Sequence, residues 1–153
     1  MADSQFVYVT YIRTTPEKLW RALIEPEFTR QFWFDTTQTS DWKPGAPWQL
    51  AFSDGRVGDT GEVVEIDPPK RLVLKWRNEL FPEMTAEGLS VMTYELEQVG
   101  NLVKLTLTHV MDKPDSKFIK AVSNGWPMIL ASLKSLLETG ESLEATRSIP
   151  KGV

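Results

Sequence analysis

The chain carries one histidine and no cysteine, so acid–base chemistry near neutral pH falls first to His109. His109 closes the run Val103, Leu105, Leu107, whose members alternate with Lys104, Thr106 and Thr108. In a strand that period places all four on one face, the apolar one. An imidazole held there can orient a ligand hydroxyl or carbonyl, or move a proton. Burial disfavours the charged ring, so neutral imidazole is expected at pH 7. The plainer role is a core histidine satisfied by a backbone carbonyl, and both stay open.

Aromatic side chains are the second resource. Six tryptophans and seven phenylalanines are spread along the chain, enough broad apolar surface to build a core or a ligand cavity. Trp33, Trp48, Phe52, Trp76, Met92, Tyr94, Phe118 and Trp126 can join His109 in lining a cavity for a flat apolar ligand. The same residues can instead fill a solid interior at crystal density. The connector from Asn78 to Gly88 carries Leu80, Phe81 and Met84, which suit a lid, a pin on the end of the sheet, or a dimer contact.

Carboxylates are present without a telling pattern. Asp35, Asp54 and Glu62 can be put forward as an acid and base, but their spacing matches ordinary solubilising charge. One histidine, no cysteine and no Asp-x-Asp-x-Asp-Gly run leave no expected metal site. Gly55, Gly58 and Gly61 are evenly spaced and precede no Gly-Lys-Ser/Thr, so no phosphate loop and no cofactor are expected.

These residues must be positioned by one ordinary domain. The chain has 153 residues, a length that buries roughly 68–70% of its unfolded surface. A net charge of −4 with no basic block argues against gripping nucleic acid or anionic lipid. No apolar run approaches the length of a membrane span, and no basic-then-apolar leader opens the chain. A cytoplasmic protein without membrane insertion is expected.

Phe6 to Arg13 is rich in β-branched and aromatic residues and reads as a strand. Two overlapping helix starts follow: a capping box from Thr14 to Glu17, and Thr15 before Pro16. Pro26 ends that helix and opens a second short one. Alternation then takes over. Weak strand character spans Thr36 to Trp42, and stronger runs lie around Trp48 to Phe52, Val57 to Ile66, Leu72 to Trp76, Met92 to Leu96 and Val103 to His109. Consecutive hairpins with one apolar face make an antiparallel sheet covered on one side.

The cover comes last. Ile119, Val122, Trp126, Ile129, Leu130, Leu133, Leu136 and Leu137 form a helical stripe, startable at Asp115 or Ser116 and closable at Gly140. Pro127 predicts a kink near Ser123–Pro127, or a fresh start there. The expected fold is α+β, a helix-grip arrangement: a curved sheet of six to seven strands around a long C-terminal helix. Residues 1–140 form the domain and 141–153 a flexible tail.

Three blocks carry a family resemblance. The stretch from Thr15 through Leu23 with Pro26 through Trp33, the hairpin from Gly61 to Trp76, and Leu105–His109 with Gly125-Trp126, Leu130, Leu133, Lys134 and Leu137 are together similar to one family. It is the family of the activator of the ninety-kilodalton heat-shock chaperone's ATPase, a branch of the START-like (SRPBCC) superfamily. The likeness runs over residues 6–139 and implies the helix-grip fold. It does not imply one reaction, since the superfamily spans lipid carriers, hormone receptors, polyketide cyclases and co-chaperone domains.

The leading expectation is non-enzymatic binding of a small hydrophobic or aromatic molecule, lipid-like or polyketide-like, between sheet and helix. His109 and Tyr94 would orient it. An alternative is a cyclase or dehydratase using the same cavity, with His109 as acid–base group. A third, implied by the family name alone, is a co-chaperone-like regulator of the heat-shock ATPase in the stress response; a homodimer is a further expectation.

Overall fold

In the computed structural model, which describes residues 3–153, β1 (Ser4–Ile12) leads into α1 (Pro16–Ile24) and α2 (Pro26–Phe32). Then come β2 (Thr36–Ser40), β3 (Pro47–Phe52), β4 (Val57–Asp67) and β5 (Arg71–Asn78). A one-turn helix α3 (Pro82–Thr85) precedes β6 (Ser90–Val99), β7 (Leu102–Met111) and the long α4 (Lys117–Thr139). All seven strands form one antiparallel sheet in the order β1-β7-β6-β5-β4-β3-β2. Each pair from β2 to β7 is sequential, and β1 closes the set beside β7.

Alternation dictates which face is covered. In β7 every second residue from Val103 to Met111 is buried, His109 among them. Register shifts at Leu50/Ala51 and Val63/Glu65 add bulges to β3–β4 and β4–β5. Bulges bend a strand and increase its twist, which lets the sheet curve around α4. Gly61 lies in register between Trp48 and Trp76, whose ring centroids are 4.4 Å apart. A Cβ on Gly61 would stand 1.7 Å from the Lys75 carbonyl oxygen, so the close β4–β5 approach requires glycine.

Local signals set the helix ends. Of the two overlapping starts, the chain uses Thr15, whose Oγ1 accepts from the Lys18 amide at 3.3 Å, with Pro16 next. Ser116 caps α4 by accepting from the Ile119 amide at 3.1 Å, and Gly140 ends it in the left-handed region at φ 86°. The fresh start expected near Pro127 is not taken: α4 runs unbroken through it. One forfeited backbone bond is outweighed by the buried stripe of Phe118, Ile119, Trp126, Ile129, Leu130 and Leu133. No helix among the described residues is long and apolar enough to cross a membrane.

The segment after α4 returns to the domain. A 3-10 turn (Glu144–Thr146) is held where the Phe34 amide donates to the Thr146 carbonyl at 2.7 Å and the Leu143 amide to Ser132 Oγ at 2.8 Å. Farther on, the Arg56 guanidinium donates to the Val153 carbonyl at 3.0 Å. These contacts carry the last residues back to the sheet beside α4.

Candidate functional site

Between α4 and the β3–β5 part of the sheet lies a cavity of about 240 Å³. Three tryptophans from three elements build its wall. Trp33, at the C-cap of α2, stacks on Trp76 of β5 at 5.9 Å and meets Trp126 of α4 at 5.1 Å. Trp76 and Trp126 meet edge to face at 5.7 Å. Phe52 and Phe118 also line the space, as do Leu80, Phe81 and Met84 of the connector. Pro150 and Val153, from the returning segment, complete it.

Gly125 leaves open space on the helix side of the cavity. It sits mid-helix on α4 and lines the cavity, and a Cβ placed on it meets no atom within 4 Å. Glycine in a helix interior costs about 1 kcal/mol relative to alanine. No crowding requires that cost here.

Trp48, Met92, Tyr94 and His109 do not line the cavity; they lie buried in the core behind it. Trp48 Nε1 donates to Gln38 Oε1 at 3.1 Å, and Gln38 Nε2 donates to the Leu23 carbonyl at 2.7 Å. The Tyr94 hydroxyl is sealed without a partner among the described residues, and burial pushes its pKa up.

His109 is fully occupied. The Trp126 indole N–H donates to its Nδ1 at 3.1 Å, so that nitrogen is the acceptor. The proton therefore sits on Nε2, which lies 2.8 Å from Ser90 Oγ. Ser90 donates onward to the Trp76 carbonyl at 2.8 Å. Desolvation pushes the imidazole pKa down to about 3, so the ring is neutral at pH 7. The backbone carbonyl expected to satisfy it is reached through a hydroxyl, and the second partner is an indole.

Sequence reasoning missed the charged group that lines the cavity. Asp59 on β4 is half-buried, and its Oδ1 is shut off from solvent without a hydrogen bond. Desolvation pushes its carboxyl up to about 7; the Trp76 indole and Asn78 amide pull it partly back, and the Glu79 charge adds to the rise. The Trp76 N–H is near enough to be felt, yet makes no hydrogen bond of ordinary geometry. The one available signal was an aspartate inside a strand, where that residue is depleted. Asp35, Asp54 and Glu62 lie outside the lining, and Asp54 pairs with Arg56 at 2.9 Å on the surface.

Glu87 was also illegible. It closes the connector and caps α4, accepting from Ser116 Oγ at 2.5 Å, the Lys117 amide at 2.8 Å and the Phe118 amide at 3.3 Å. Desolvation works to raise its pKa, but those donors and the positive helix end hold it below the usual range. The connector is thereby tied to α4 on one side of the cavity.

A curved antiparallel sheet gripping one long helix, with a cavity between them, defines the START-like class. Within it, the family described as "Activator of Hsp90 ATPase homolog 1-like protein" matches residues 13–138, and the chain belongs to that family. A protein of Mesorhizobium loti is similar in structure at 27% identity and TM-score 0.72, over 88% of this chain and 97% of that one. The solution structure of the Aha1 dimer from Colwellia psychrerythraea is similar at 21% and 0.73, over 91% and 99%. CalU16 from Micromonospora echinospora is similar at 18% and 0.70, over 90% and 78%. No protein of curated function matches the chain.

Proposed function

We propose that this protein binds a small hydrophobic or aromatic molecule in the cavity between its sheet and α4, without transforming it. The observation that carries the reading is Gly125: mid-helix, facing open space, at the cost a core helix would ordinarily avoid. A solid aromatic core would favour a side chain there. The three-tryptophan wall supplies flat apolar surface, and burial contributes about 25 cal/mol per Å² before ordering costs. An amide NMR titration with sterols, fatty acids, flavonoids and polyketide-like aromatics tests it. Saturable shifts on Trp33, Trp76, Gly125 and Trp126 are expected; shifts confined to exposed residues would contradict it.

The cyclase or dehydratase alternative draws no support from His109, whose two ring nitrogens are occupied and which stands off the cavity. The co-chaperone reading rests on the family description alone. A homodimer has a specific observation behind it. Val7, Val9 and Tyr11 stand 45–48% exposed along the edge strand β1, and a related structure is described as a dimer. Sedimentation of the wild type and Val9→Lys tests that assembly; a wild-type monomer at high concentration sinks it.

A further inference from the structure

We propose that the cavity selects neutral ring compounds bearing a hydroxyl, which donates to the Asp59 carboxyl and accepts from the Asn78 side-chain amide. This rests on the cavity-binding reading above. Asp59 and Asn78 are direct partners in the β4–β5 register, so their side chains share a face, and both line the cavity. Asn78 Oδ1 is committed to the Leu80 and Phe81 amides at 2.9 and 3.0 Å. That fixes the amide's orientation and leaves Nδ2 beside the Asp59 carboxyl, near enough to favour its charge but without a hydrogen bond of ordinary geometry. Among the described residues Asp59 Oδ1 has no hydrogen-bond partner, and Thr36 in the same lining is spent on the Trp33 carbonyl at 2.6 Å.

An acceptor oxygen without a partner and a donor with no bond of ordinary geometry therefore stand together in a largely apolar space. Leaving them unpaired under a bound hydrocarbon is costly, whereas one hydroxyl meets both. A carboxylate would instead oppose Asp59 in a site short of water, where like charges repel strongly. The volume of about 240 Å³ lies just under the roughly 300–1,000 Å³ of drug-sized sites, which points to about two fused rings.

Naphthalene, 2-naphthol and 2-naphthoate differ only at the polar position and serve as probes. Titrated into the full chain at pH 7.5 and followed by amide NMR, 2-naphthol is expected to bind at least about tenfold more tightly than either of the others. In Asp59→Asn, which keeps the side-chain shape, 2-naphthoate is expected to gain on 2-naphthol, since the new amide donates to a carboxylate. The wild-type ranking decides the matter even where the variant folds poorly. Equal binding of naphthalene and 2-naphthol, or an unchanged ranking in a folded Asp59→Asn, overturns the selection and leaves the cavity reading standing. Binding of none of the three overturns both.

Discussion

Trp126 donates its indole N–H to Nδ1 of His109 across 3.1 Å, and this bond ties the middle of the long helix to the last strand. The bond fixes the tautomer, and the apolar surroundings fix the charge. His109 should therefore remain neutral with its proton on Nε2 from pH 7 down to about pH 4. Long-range nitrogen–proton NMR spectra read this directly. A midpoint near the ordinary value of 6.5 would place the ring in water and contradict the structure.

Asp59 and His109 give opposite pH slopes to stability. The imidazole's folded pKa of about 3 lies below its ordinary 6.5, so its contribution is full above 6.5 and lost as pH falls toward 3. The carboxyl's folded pKa of about 7 lies above its ordinary 3.8, so its contribution is full below 3.8 and lost as pH rises toward 7. Each slope reaches at most about 1.4 kcal/mol per pH unit, and between roughly pH 4 and 6.5 they oppose each other. Asp59→Asn removes one of them. Urea unfolding should show the variant rising in stability from pH 4 to 6.5 more steeply than wild type, with its largest advantage above pH 7. Parallel pH curves would show that Asp59 is not desolvated.

Gly61→Ala should cost more than about 3 kcal/mol, because the new Cβ would overlap a backbone carbonyl that has no freedom to retreat. Gly100→Ala is the useful contrast, since its Cβ meets nothing and only its φ of 61° opposes the change. Thermal unfolding of the pair separates the two causes. Equal losses would mean that the β4–β5 approach is looser than described.

Much of the fold is legible in period alone. The alternation through Val103, Leu105, Leu107 and His109 gives the buried face of β7, and the stripe around Trp126, Leu130 and Leu133 gives α4. The candidate site is less so, for physical reasons. Trp48 and Trp76 alternate alike in their strands, yet only Trp76 reaches the cavity, because bulges and curvature decide where α4 stands off the sheet. Asp59, Asn78 and Glu87 act through partners set by strand register or by a loop's return, which no spacing in the chain reveals.

Val153 and Pro150 line the cavity while Arg56 holds the Val153 carbonyl, so the returning segment covers part of the cavity. Removing residues 150–153 should speed association of 2-naphthol several-fold in stopped-flow mixing and change stability little. The core hydrogen bonds of this segment, at Leu143 and Thr146, lie before the cut. An unchanged rate would show that ligand enters elsewhere.

Gly125→Leu fills the space between the sheet and α4 from the helix side. The new side chain enters space where a Cβ meets no atom within 4 Å, and it replaces a poor helix former with a good one. Titration of 2-naphthol, with urea unfolding of the same samples, should show affinity falling more than about tenfold while stability holds or rises by up to about 1 kcal/mol. Wild-type affinity in a well-folded Gly125→Leu would contradict the account, because the ligand would then bind somewhere other than between the sheet and α4.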